Sequence, residues 1–341
     1  MINLKRYILT LIHTIKLVVG IGIYNFTKKT PEYAYQSMIF LFCRSKGRSN
    51  DLLSWMIKTK NGKYNFASSD RILGSLSITH RKKINTALLE HGYYIFDSRL
   101  PDDICDRLLD YSLTQPCYMR CMDDGSFSAP IRTAYHRDNP QAVRYDFETQ
   151  DLLKNEDIQS IMADEGFATV AQDYLGSKPI IDIVTMWWHT RFSDKPDMAA
   201  AQYFHFDMDR PKWLKFFIYL TDVDTDNGPH TFVAGTHKAG AIPAKLLNKG
   251  YARLNDSEVH DEFDNSQFIE FNAPRGTIIA EDTRGLHKGK HVENGDRLIF
   301  QIEYCNSLFG GAYQKTTCDA PKTTKLNEMF KKYKAIYKLY L

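Results

Sequence analysis

His205 and Asp207 flank Phe206 in the run Gln202-Tyr203-Phe204-His205-Phe206-Asp207, where aromatic neighbours favour an extended chain. Side chains of a strand alternate between its faces, so an imidazole and a carboxylate two residues apart point the same way. That pair is half of a metal site. A third ligand from a distant strand completes two imidazoles and one carboxylate on one side of an ion, leaving the other side open for ligands that react.

His230, His237, His260, His287 and His291 can each supply the third ligand. His287 is favoured because it follows a strand expected at 277–280 and is joined through the Asn294-Gly295 turn to another strand that begins at Arg297. His230 and His237 fall at expected turns, and Gly289 argues against the helix that a His287–His291 pair would need. Two histidines and an aspartate suit Fe(II) with three positions free, enough for a bidentate 2-oxo acid and dioxygen. Arg297 then offers a planar guanidinium to the far carboxylate of that acid. Lys215 and Tyr219 share one face of their strand, while the adjacent Trp187 and Trp188 face opposite ways, one to a core and one towards the site. The same three ligands also suit a zinc hydrolase that activates water, and a non-catalytic β scaffold is a third reading; Arg297 is superfluous to both.

The ordered set His205-Phe206-Asp207, Tyr219-Leu220-Thr221-Asp222-Val223, Asn227-Gly228-Pro229, Gly235-Thr236-His237-Lys238, Gly276, His287 and Arg297 resembles the phytanoyl-CoA dioxygenase family of Fe(II)- and 2-oxoglutarate-dependent oxygenases over roughly residues 90–305. The resemblance implies a double-stranded β-helix (jelly-roll, cupin-like) core, iron held by His205, Asp207 and His287, 2-oxoglutarate held by Arg297, and ascorbate as a supporting reductant. It implies hydroxylation of a small or lipid-like substrate with release of succinate and carbon dioxide, because halogenating relatives replace the carboxylate that Asp207 supplies here. In relatives a hydroxyl residue often stands two positions after the distal histidine. Here that residue is Gly289, so Tyr219 and Thr231 are the candidates to assist the cosubstrate.

The elements that position these residues are mostly strands: 180–190, 202–207, 214–221, 230–234, 267–271, 277–280 and 297–304, separated by hairpin-type turns and without helical crossovers. Such a series predicts an antiparallel sandwich or closed barrel with flanking helices. Ahead of it come a helix capped by Thr79 and stopped at His91-Gly92, a strand at 93–96, and a helix opened by Pro101-Asp102-Asp103; a further helix is expected over 158–175. The irregular stretch 115–150 gathers Arg120, Arg132, Arg137 and Arg144, which suggests a lid over an anionic substrate or, equally, a solvated loop pinned by aromatics. Residues 1–78 read as a helical extension, 79–310 as the oxygenase domain, and 311–341 as an amphipathic helix docked through Leu326, Met329, Phe330, Tyr333, Ile336, Tyr337 and Tyr340.

With 341 residues, 43% hydrophobic and 25% charged, the chain can bury a large core, and a net charge of +3 is too small to mark a nucleic-acid binder. Six scattered cysteines without knuckle spacing suggest free thiols in a reducing, cytoplasmic setting. The apolar run Ile8–Ile23 follows Lys5 and Arg6 but is not followed by a small-residue cleavage site, and Lys16 interrupts it. Thr10, His13 and Lys16 gather towards one side, so the leading expectation is an amphipathic helix packed on the core, with membrane-surface contact through the terminal helices as the next and a true membrane anchor as the last.

Overall fold

The computed structural model describes residues 2–66, 71–120, 132–311 and 316–341. Its longest strands are built from sequences apolar on both faces. In β10 (Asp296–Cys305), Leu298, Phe300 and Ile302 point to one side, while Arg297, Ile299, Gln301 and Glu303 point to the other. A strand buried on both faces takes a central place, and β10 pairs antiparallel with β4 (Ile180–Thr190) on one flank and β5 (Trp213–Tyr219) on the other. With β1 (Tyr93–Ile95), β2 (Tyr118–Arg120), β3 (Arg144–Asp146) and β8 (Ile278–Glu281) they form a sheet ordered β1-β8-β5-β10-β4-β3-β2. A second sheet, β7-β6-β9, consists of β6 (His230–Val233), β7 (Phe268–Glu270) and β9 (His287–Gly289).

The two sheets meet through Trp187, Phe217, Tyr219, Ile279 and Ile299 from the large sheet and Phe232 from the small one. This is the antiparallel jelly-roll core expected from the strand series. The outer face of the large sheet buries Val184, Met186, Trp188, Phe216, Ile218, Ala280 and Phe300 beneath helices. Truncating one such fully buried side chain, for example Phe300→Ala, costs about 3–5 kcal/mol.

Helices α1 (Ile2–Thr27), α2 (Glu32–Ser45) and α3 (Arg48–Lys60) precede α4 (Ile78–His91) and α5 (Asp102–Thr114). α2 packs on the outer side of the small sheet, where Met38, Leu41 and Phe42 share an apolar cluster with Phe204, Phe206, Met208 and Leu286. Gly92 ends α4 with φ +90°, and a Cβ there would strike Phe232 and His237, so glycine is required on both counts. The C-terminal helix spans Thr324–Lys332 and continues as turns, and all seven of its expected anchors are buried, from Leu326 to Tyr340.

Several expectations change. The cap of α4 is Ser77, whose hydroxyl accepts from the His80 N–H; Thr79 lies inside the helix. The helix expected over 158–175 is two, Glu156–Met162 and Glu165–Leu175, because the Asp164 carboxylate accepts from the Gly166 and Ile72 N–H groups and starts the second. β2, β3 and β9 lie in stretches where no alternation showed. The strand expected at 202–207 is reduced to isolated bridges, Phe204 to Leu254 and His205 to His287. The core-packed reading of the first helix holds for one side only: Thr10, His13 and Leu17 face α2, whereas Ile8, Ile15, Val18 and Phe26 face outward.

Candidate active site

His205 and His287 are partners in an antiparallel ladder: the His205 N–H donates to the His287 carbonyl at 2.9 Å, and the His287 N–H returns the bond at 2.9 Å. Residues so paired carry their side chains on the same face, and the two rings stand with centroids 4.2 Å apart. Two residues on, the Asp207 N–H donates to the Thr283 carbonyl, and the carboxylate turns to the same side. Asp207 lies 3.7 Å from His205 Nε2 through Oδ1 and 3.5 Å from His287 Nε2 through Oδ2. Among the described residues this is the cluster able to hold a metal, its three ligand atoms all within 4.8 Å of one another.

The backbone also sets the tautomers. His205 Nδ1 lies 2.9 Å from the Tyr203 carbonyl and His287 Nδ1 lies 3.0 Å from that of Gly285. A carbonyl only accepts, so each Nδ1 carries the proton and each Nε2 presents a lone pair to the centre, as a metal requires. Burial, then the neighbouring His287, holds the His205 imidazole well below its usual pKa, keeping it neutral. Burial opposes protonation of His287 too, but the Asp207 carboxylate outweighs it and raises the pKa of that ring.

Lys215 Nζ donates to Asp207 Oδ2 at 2.6 Å and stands 3.4 Å from Asp209 and 3.5 Å from Glu303. Burial pushes the Asp207 carboxyl up, yet Lys215 and the imidazoles hold it well below the carboxylate range. Burial, then the neighbouring Asp209, pushes the Glu303 carboxyl well above the usual carboxylate range. Across β5 from Lys215, Glu281 is raised to about 8 by burial and faces His230 Nε2 at 3.0 Å. The His230 ring is depressed by burial, so the two meet as a neutral hydrogen-bonded pair rather than as an ion pair.

Arg297 is 1% exposed, and among the described residues no carboxylate pairs with it. Its Nη2 donates to His189 Nδ1 at 2.7 Å, opposite it on β4, while Nε and Nη1 have no partner among the described residues. Burial lowers its pKa to about 10. A Cβ added at Gly289 would lie 3.1 Å from Arg297 Nη2 and 3.3 Å from the His189 ring, so the bare glycine leaves room for the guanidinium. Gly289 is two residues from His287, about 7 Å along a strand, so Arg297 stands beside the strand that carries His287, at a spacing a five-carbon dicarboxylate can bridge. A buried guanidinium with two unsatisfied donors and three converging ligands fit Fe(II) and 2-oxoglutarate.

The family model described as phytanoyl-CoA dioxygenase (PhyH) matches residues 88–298, well over half of the chain. The protein belongs to the phytanoyl-CoA dioxygenase family. No curated protein matches the sequence significantly. Similar solved structures include HygX from Streptomyces hygroscopicus with nickel and 2-oxoglutarate bound, 12% identical, TM-score 0.49, covering 69% of this chain and 89% of that one. EctD from S. alaskensis in its apoform is 16% identical, with TM-score 0.43 and coverage of 72% and 80%. AviO1 from Streptomyces viridochromogenes Tue57 is 16% identical, with TM-score 0.43 and coverage of 70% and 100%.

Other expected site residues divide. Tyr219 lies on the inner face with Lys215, its hydroxyl accepting from the His230 N–H at 3.1 Å and close enough to Arg297 to offset part of the lowering that burial causes there. Thr231 is not brought to the triad: His230 takes the inward position, and by alternation Thr231 faces the other way, its hydroxyl 3.5 Å from the Pro229 carbonyl. Trp187 belongs to the interior between the sheets and Trp188 to the helix-covered core. The four arginines expected to meet an anionic substrate are already engaged: Arg120 and Arg144 with Asp146, Arg132 with Asp151, and Arg137 with Asp296. Tyr135 is buried against Tyr145 and Trp188, as in the pinned-loop reading, while residues 121–131 of the expected lid, Cys121 among them, lie outside the described residues. Sequence reasoning missed His189 and Glu281 and placed His230 at a turn; His189 comes to Arg297 only through the pairing of β4 with β10, which neither strand records by itself.

Proposed function

We propose that the chain is an Fe(II)- and 2-oxoglutarate-dependent dioxygenase that hydroxylates a small or lipid-like organic substrate and releases succinate and carbon dioxide. The observation that carries this is Arg297, a buried cation whose Nε and Nη1 find no partner among the described residues, beside the strand that carries His287. A zinc hydrolase built on the same three ligands has no use for it. His205, Asp207 and His287 would hold the iron, and Arg297, with Tyr219 beside it, the far carboxylate of the cosubstrate. The bound metal supplies the activation of dioxygen that side chains cannot perform.

The chain's own residues orient, insulate and hold protons. The Tyr203 and Gly285 carbonyls fix the two imidazoles, Lys215 fixes one carboxylate oxygen, and His189 steadies the guanidinium. Phe217, Phe232, Ile279 and Ile299 exclude water from the interior between the sheets. The Glu281–His230 pair adds no net charge beside the metal, which leaves Asp207 as the anionic ligand. The five described cysteines are free thiols, which supports a reducing, cytoplasmic setting.

The test is anaerobic addition of Fe(II) and then 2-oxoglutarate to the metal-free protein, followed by a succinate-release screen over candidate substrates with ascorbate. A weak visible charge-transfer band and succinate release, both lost in Asp207→Ala, are expected. Absence of the band in the unaltered protein would end the reading.

A further inference from the structure

α1 is apolar on the wrong side for a helix of a water-soluble body. Its inward stripe, Thr10, His13, Leu17, Gly20 and Tyr24, is partly polar and small. His13 Nδ1 meets the Ser37 hydroxyl at 3.0 Å, and a Cβ added at Gly20 would fall on the Cβ of Ala34, so α1 and α2 touch nearly backbone to backbone. Close approach over small residues with an interhelical hydrogen bond is how helices associate when lipid, not water, surrounds them. The outward side carries Leu4, Ile8, Leu11, Ile15, Val18, Val19 and Ile23, half exposed or more in most cases, and ends in Phe26 at 90%. In the apolar window within Leu4–Thr27 only 11% of residues are buried. Monomeric soluble proteins seldom leave so large an apolar face to water.

Charge says what covers it. The chain has no acidic residue before Glu32, whereas Lys5, Arg6, Lys16, Lys28 and Lys29 lie along or just beyond α1. At about 100° per residue, Lys16 sits on the flank between the α2-facing stripe and the outward side, where its ammonium can reach a headgroup while its stem lies along apolar surface. The length of α1 would suffice to cross a bilayer, but its inner stripe is seated on α2, and α2 is seated through Phe42 on Phe206, between His205 and Asp207. A spanning α1 would have to leave that seat.

We propose that α1 lies in the plane of an anionic bilayer surface, its outward side sunk among the acyl chains and its lysines at the headgroups, holding the catalytic body at the membrane. The test is co-sedimentation of the full chain with phosphatidylcholine vesicles, with and without one-quarter phosphatidylglycerol. The partition coefficient is expected to be at least about tenfold higher on the anionic vesicles. Ile8→Ser/Ile15→Ser/Val19→Ser should lower it at least about 100-fold, with an unchanged melting temperature because all three side chains face outward. Bound protein should be released by alkaline carbonate. Retention after carbonate would show a spanning helix and overturn the in-plane arrangement. Equal binding to both vesicle types would overturn the headgroup assignment. Unaltered binding by the triple variant would remove α1 from the contact, and lipid-free dimers that the triple variant dissolves, without vesicle binding, would assign the face to a second copy.

Discussion

Replacing Arg297 with methionine separates what this residue costs the fold from what it contributes to binding. Methionine is similar in length and apolar, so it fills the space beside Gly289 without a charge. Burial depresses the guanidinium from its ordinary value to about 10, and because the group is wholly buried, solvent screening does not discount the shift. At 1.36 kcal/mol per unit this puts the cost of holding the cation without a counter-ion at about 3 kcal/mol. The lost bond to His189 returns about 1 kcal/mol of that, so Arg297→Met should be more stable than the unaltered protein by roughly 2 kcal/mol, a rise of a few degrees in melting temperature. Adding 2-oxoglutarate at a hundred times its dissociation constant, with Mn(II) in place of iron, should stabilise the unaltered protein by about 2.7 kcal/mol and leave the variant unmoved. Differential scanning calorimetry with and without the ligand gives all four numbers. A variant that melts below the unaltered protein without ligand, or that gains as much from the ligand, refutes the assignment of Arg297 as an anion anchor held in reserve.

Three further outcomes follow from the same geometry. Gly289→Ala puts a methyl group 3.1 Å from Arg297 Nη2, so the apparent dissociation constant for 2-oxoglutarate should rise about tenfold with metal affinity unchanged, as titrations of both ligands will report. Lys215→Met removes the donor that fixes Asp207, and divalent-metal affinity measured by calorimetry should fall about 10- to 100-fold; an unchanged affinity would make Lys215 a bystander. Burial depresses His237 from 6.5 to about 4, so the unfolded chain binds the extra proton between those values; stability is full above pH 6.5 and is lost as pH falls through 4. That loss is about 3 kcal/mol, and urea melts from pH 7 to pH 4 should show a shallower decline in His237→Gln if the histidine is its source.

The parts of this site that follow a simple period were readable in the amino-acid order. His205 and Asp207 share a face because strands alternate, and Arg297 was found because an Asn-Gly turn announces the start of its strand. Pairing partners were not readable. That His189 stands opposite Arg297, or Glu281 opposite Lys215, depends on which strands neighbour one another, and single strands do not record their neighbours. β2, β3 and β9 are three residues each, too short for any period to show. The four arginines of 115–150 looked available because their carboxylate partners, such as Asp296 for Arg137, are distant in the chain. For α1 the helix itself was plain, but periodicity gives a helix two sides without saying which one turns inward, and here the partly polar side does.

Phe206 stands between the two ligands of its segment and points away from them, onto Phe42 of α2 at 5.2 Å between ring centroids. Anyone trimming the gene to the stretch that matches the family, from residue 88, would therefore peel the floor off the iron-bearing segment and leave Phe204, Phe206 and Met208 bare. The boundary a family model draws and the boundary at which the polypeptide can still hold its shape are different places in this molecule.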